Sequence, residues 1–85
     1  MKYVTMRVKH GDKTSSIRLE YSMLDALAMA LDQKPYSEVK KSINKVVRIY
    51  AEQYFYDKRR TGKVRDAILG TIKIALEDRK RTEQE

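Results

Sequence analysis

Thr14-Ser15-Ser16-Ile17-Arg18-Leu19-Glu20-Tyr21-Ser22-Met23-Leu24-Asp25-Ala26-Leu27-Ala28 changes its hydrophobic period in the middle. Ile17, Leu19 and Tyr21 alternate with Ser16, Arg18 and Glu20, the twofold repeat of a strand with one buried face. From Ser22 onward Met23, Leu24, Leu27, Ala28 and Leu31 recur three and four residues apart, the spacing of one helix face. A strand running directly into a helix over 22–32 is therefore expected, with Ser22 and Asp25 as a capping box. Upstream, Val4, Met6 and Val8 alternate with Thr5, Arg7 and Lys9, which makes a strand or arm of 1–13. His10-Gly11-Asp12-Lys13 supplies turn chemistry between the two, Gly11 tolerating positive φ, and a hairpin is the simplest connection.

Downstream, Asp32-Gln33-Lys34-Pro35-Tyr36 ends the first helix, because proline disfavours the helical conformation at the residue before it. Ser37 restarts a helix whose apolar stripe is Val39, Ile43, Val46, Val47, Tyr50 and Tyr54, with Lys41, Lys45 and Arg48 on another face. Nothing interrupts it before Gly62, so it is expected to reach Arg60, with Gly62 in the left-handed position past its end. A third amphipathic helix over 61–79 places Val64, Ile68, Leu69, Ile72, Ala75 and Leu76 on one side, and the charged tail 80–85 is expected to fray. The fold class is α+β and mostly helical: an N-terminal strand or hairpin followed by three helices.

With 19 Lys and Arg against 12 Asp and Glu, the net charge is +7, which favours a polyanionic partner. The excess lies in residues 1–21 (+3) and 37–62 (+4), while 22–36 is slightly acidic at −1. There is no cysteine and a single histidine, His10, expected in a loop; disulfides, thiolate metal sites, catalytic triads and histidine acid–base pairs fall away with them. Thr61-Gly62-Lys63 is not the end of a phosphate-binding loop, since Asp57 stands where that loop requires glycine and Val64 where it requires a hydroxyl. No enzyme activity, cofactor or metal is expected. Uncharged runs reach only six residues, as in Ala26–Leu31, too short to cross a bilayer, and Met1-Lys2-Tyr3-Val4-Thr5 lacks the apolar block of a signal peptide, so a cytoplasmic, intracellular chain without a membrane partner is expected. An 85-residue chain with 36% charged residues has little apolar material for a core, and oligomerisation is the staple left to it.

The strand Thr14–Leu19, the helix of about ten residues after it, the short turn and the helix opening on Ser37-Glu38-Val39 resemble the ribbon-helix-helix family of DNA-binding proteins. The resemblance covers roughly 14–54, within a core of 14–60; Lys40 stands where the family usually has an apolar residue, and the interhelix turn lacks the common glycine. It implies a homodimer in which two chains pair their single strands into a ribbon that enters the major groove of double-stranded DNA, dimers being able to assemble further on the duplex. It places Thr14, Ser16 and Arg18 at the base-reading positions. Phosphate would sit at the start of the second helix, among Lys34, Ser37, Glu38, Val39, Lys40 and Lys41, with Arg7 and Lys9 on a flanking arm. The shared dimer core would hold Ile17, Leu19, Leu24, Leu27, Leu31, Val39, Ile43, Val46, Val47 and Tyr50. The implied role is a small transcriptional repressor or a plasmid or viral DNA accessory protein, nucleoid-associated in the cell.

Two other readings compete. The hairpin and helices can form a module that docks on a protein such as a toxin, polymerase or nuclease, or the chain can bind single-stranded nucleic acid or RNA by stacking bases on Tyr50, Tyr54, Phe55 and Tyr56, although helical spacing favours Tyr50 and Tyr54 as core residues. The opening strands and helix also resemble a ubiquitin-like β-grasp domain, but that fold needs two further strands and nothing after Ser37 reads as one.

Overall fold

The structure, a computed structural model, describes residues 2–84, with side chains through residue 82. Its elements are β1 (Tyr3–His10), β2 (Lys13–Glu20), α1 (Tyr21–Asp32), a 3-10 turn (Tyr36–Glu38), α2 (Lys40–Gln53) and α3 (Arg60–Gln84). The expected α+β order of a hairpin and three helices is what forms. β1 and β2 pair antiparallel from Tyr3 opposite Glu20 to His10 opposite Lys13. The two-residue turn between them needs positive φ at its first position, and Gly11 supplies it at φ 63°. Met6, Val8, Ile17 and Leu19 form the buried face of this ribbon. β2 thus finds a partner strand in its own chain, and the pairing that a lone strand would demand of a second chain is met internally.

α1 begins at Tyr21, one residue earlier than expected, and the capping box does not form. Asp25 is drawn away: its Oδ1 accepts the Tyr36 N–H at 2.9 Å, tying the 3-10 turn to α1. The Tyr21 N–H instead reaches the Lys2 carbonyl at 2.9 Å. Gln33 closes the helix in the left-handed region at φ 56°, its N–H on the Met29 carbonyl at 3.2 Å.

The long second helix expected from Ser37 to Arg60 is divided. Ser37 and Glu38 lie in the 3-10 turn, α2 runs only from Lys40 to Gln53, and α3 starts at Arg60, so Gly62 lies inside α3 rather than past the end of α2. Two interactions account for the break. Phe55 is 8% exposed and packs in the core with the His10 ring at 5.4 Å from it, which pulls the chain off the helical path. Asp57 Oδ1 then accepts the Arg59 N–H at 2.8 Å, capping the turn that opens α3. At the far end α3 takes in 80–84 of the charged tail 80–85, and residue 85 lies outside the described residues. Arg79, just before that segment, donates to the Ala30 carbonyl at the end of α1 at 2.5 Å and, more distantly at 3.5 Å, to the Met29 carbonyl that already accepts the Gln33 N–H.

One apolar cluster joins the ribbon's inner face to all three helices, with Leu24, Leu27, Ile43, Val47, Val64 and Ile68 fully buried within a single chain. Of the other residues expected in a shared core, Val39, Val46 and Tyr50 are half-buried. Leu31 is 38% exposed, while Ala30, under Arg79, is buried instead. No helix among the described residues is long and apolar enough to cross a membrane.

Tyr36 is 1% exposed, and its hydroxyl donates to Asn44 Oδ1 at 2.6 Å. Burial raises the Tyr36 pKa above its ordinary value. A pKa raised on folding means that the folded state holds the proton more tightly, so this contribution to stability is complete below about pH 10 and is lost as pH rises through the folded value. Urea unfolding between pH 8 and 11 should therefore show stability falling above about pH 10, with a shallower fall in Tyr36→Phe. Equal slopes in the two proteins would assign the alkaline loss to other groups.

Candidate functional site

The alternation that buries one ribbon face exposes the other. Tyr3, Thr5, Arg7 and Lys9 from β1 share that outer face with Thr14, Ser16, Arg18 and Glu20 from β2, paired as Tyr3–Glu20, Thr5–Arg18, Arg7–Ser16 and Lys9–Thr14. The three residues expected to read bases and the two expected on an arm thus occupy one surface. It carries three cations, three aliphatic hydroxyls, one phenol and one carboxylate, and that carboxylate, Glu20, is held by Arg65 of α3 at 2.9 Å. Thr5 and Tyr3 belong to the surface although sequence reasoning did not single them out; their parity with Arg7 and Lys9 was the available signal. The Arg18 guanidinium lies over the Tyr3 ring, 4.2 Å from its centroid.

The ribbon is fixed to the helices at its tip. His10, which is the last residue of β1 rather than a loop residue, stacks on Phe55 and meets the edge of Tyr56 at 5.2 Å, while Lys13 sits over the Tyr56 ring at 5.4 Å. Arg60 spans the joint: it donates to the Phe55 carbonyl at 3.1 Å and to the Ser16 carbonyl on β2 at 3.3 Å. With the Arg65–Glu20 pair, this gives α3 two holds on β2.

The second basic surface is elsewhere. The Glu38 and Val39 N–H groups, expected to be free for phosphate, are bonded to Pro35 O at 3.0 Å and Tyr36 O at 3.1 Å, and the helix proper opens at Lys40. Lys34, Ser37, Lys40 and Lys41 are exposed around that start. Lys41, Lys45 and Arg48 project from the side of α2 opposite Ile43 and Val47, where they line a shallow groove with Asn44, Ile49 and Glu52. Ile43 and Val47 pack into the core that the ribbon's inner face also enters, so the basic face of α2 and the outer face of the ribbon are separate surfaces that both point away from one core. The aromatic run does not assemble a stacking platform: Phe55 is buried, Tyr54 half-buried, Tyr50 bonded through its hydroxyl to Thr71 at 2.6 Å, and Tyr56 alone of the four is exposed.

No protein-family model, curated protein or solved structure matches this chain. Among the described residues no three His, Cys, Asp or Glu side chains converge as metal ligands.

If Arg60 anchors the ribbon, Arg60→Ala should lower unfolding free energy by about 1–3 kcal/mol through two lost hydrogen bonds to carbonyls. Arg7→Ala, which removes the same charge from the open face, should change it by less than about 0.5 kcal/mol. Denaturant melts of the two variants check this, and equal losses would remove Arg60 from the anchoring role.

Proposed function

We propose that the chain binds double-stranded DNA in a sequence-dependent way, with the outer face of the β1–β2 hairpin in the major groove, and that it works as a homodimeric repressor or DNA accessory protein of a plasmid or virus. The observation that carries this is the outer face itself: Arg7, Lys9 and Arg18 interleaved with Thr5, Thr14 and Ser16, its one acid already paired with Arg65. A two-stranded ribbon fits the major groove, arginine can bond both acceptors of a guanine edge, and hydroxyls bond either donors or acceptors. Arg18 is assigned to guanine, Thr14 and Ser16 to neighbouring base edges, and Arg7 and Lys9 to phosphates along the ribbon. Lys34 and Lys40, exposed at the start of α2 outside the groove that Lys41 lines, remain candidates for backbone contacts. The stretch β2–α1–α2 has the strand, helix, helix order on which the ribbon-helix-helix resemblance rests, but β2 pairs with β1 of its own chain, where that family pairs strands from two chains.

A homodimer suits this reading because one short hairpin covers few base pairs, and two half-sites multiply the discrimination. The exposed Leu69, Ile74 and Leu76 of α3 and Met29 and Leu31 of α1 supply apolar surface for a second copy. The same exposed residues support the competing reading, a module docked on a different protein.

With about 5–8 phosphates neutralised per dimer, log K for duplex DNA should fall against log salt with a slope of roughly −5 to −7. Arg18→Ala should cost a selected duplex about 1–3 kcal/mol while leaving random-sequence binding nearly unchanged. Arg7→Ala should weaken all sequences alike and reduce the slope by about one. Specificity lost through Arg7 alone would make β1 the reading strand. Absence of duplex binding at low salt, or a monomeric mass with a concentration-independent melt at micromolar protein, would transfer the lead to the protein-docking reading.

A further inference from the structure

Arginine on an exposed strand has many rotamers, and a carboxylate two residues away on the same face is its natural partner. Arg18 and Glu20 stand in that relation on β2. The structure separates them. Glu20 turns to Arg65 of α3, with Nη1 to Oε1 at 2.9 Å, and the Arg18 guanidinium turns to the diagonal neighbour across the ribbon, the Tyr3 ring at 4.2 Å. A guanidinium held over an aromatic ring by the cation–π attraction still has N–H donors for a further partner, whereas a salt bridge would occupy them.

We propose that Tyr3 and Arg65 are the positioning residues that make Arg18 a base reader: Tyr3 by holding the guanidinium over its ring with N–H donors left open, Arg65 by withdrawing Glu20 from it. This rests on the DNA-binding reading above and specifies the state in which the ribbon meets a guanine. The arrangement costs Arg18 less ordering on binding, because the rotamer needed at the base edge is selected beforehand. It also explains how an acid can stand on a polyanion-binding face, since Glu20 enters the interface with its charge already compensated. Tyr3 is 44% exposed and Arg65 lies on the first turns of α3, so neither belongs to the buried core, and changes at either leave that core in place.

The experiment uses the full chain, a duplex selected from a random pool, the same duplex with the guanine contacted by Arg18 exchanged, and a random duplex. In the free protein, the Arg18 Nε–H resonance should carry a ring-current shift that Tyr3→Phe keeps and Tyr3→Ala loses. Discrimination between the selected and exchanged duplexes should fall roughly two- to fivefold in Tyr3→Ala, the scale of an exposed cation–π contact, and stay near the native value in Tyr3→Phe. Random-duplex binding and its salt slope should be unchanged in both. Arg65→Ala should also lower discrimination, and the double variant Arg65→Ala with Glu20→Gln should restore it. Equal losses in Tyr3→Phe and Tyr3→Ala would assign the effect to the phenol hydroxyl and overturn the stacking role. Failure of Glu20→Gln to rescue Arg65→Ala would make Arg65 a DNA contact in its own right and overturn the withdrawal role. A native protein that prefers no duplex over another would remove the DNA reading itself, an outcome read before any variant is made.

Discussion

The hairpin's need to bury one face and not the other governs the structure. A two-stranded ribbon is marginal in water by itself, because half its side chains have nothing to pack on. Here Met6, Val8, Ile17 and Leu19 supply the apolar half, and the three helices close over it with Leu24, Leu27, Ile43, Val47, Val64 and Ile68. Because strand parity is strict, a one-residue slip would turn Arg7 and Arg18 into the core and Met6 and Ile17 into water. The Gly11 turn fixes the register, and Arg60 and Arg65 hold the free side of β2 against α3. Everything proposed for the outer face follows from that fixed parity.

Much of this was legible in the residue order. Both strands, the turn at Gly11, the direct passage from β2 into α1 and the stop before Pro35 follow from local pattern, because each is decided by neighbours in sequence. The misses share a cause: a side chain took a distant partner. Ser22 and Asp25 have the spacing of a cap, but Asp25 binds the Tyr36 N–H eleven residues on. The stripe of α2 continues through Tyr54 and carries no Gly or Pro, yet the helix stops because Phe55 enters the core beside His10 and Asp57 caps the next helix. Asp57 before Lys58-Arg59-Arg60 was the local signal for a new helix start, and a basic run obscured it. The hold of α3 on α1 through Arg79, whose acceptors lie about fifty residues away, was out of reach of local pattern for the same reason.

The candidate site divides in the same way. Thr14, Ser16 and Arg18 were placed together by the period of one strand, and Arg7 and Lys9 by the period of the other. Only the pairing of the strands puts all five on one surface. The compensation of Glu20 by Arg65 and the seat of Arg18 on Tyr3 were invisible, since they depend on where α3 docks and on which diagonal neighbour is near. The lysines at the start of α2 were legible as charge but not as location, because the 3-10 turn consumes two N–H groups and the helix presents its basic side away from the core.

The most direct test of the proposed reading is a titration of the isotopically labelled protein with a selected duplex, followed by backbone and side-chain amide shifts. Perturbations centred on the outward positions Tyr3, Thr5, Arg7, Thr14, Ser16 and Arg18, with Ile43, Val47 and the groove face of α2 quiet, are expected. Perturbations centred on Lys41, Lys45 and Arg48, with the ribbon silent, would contradict it.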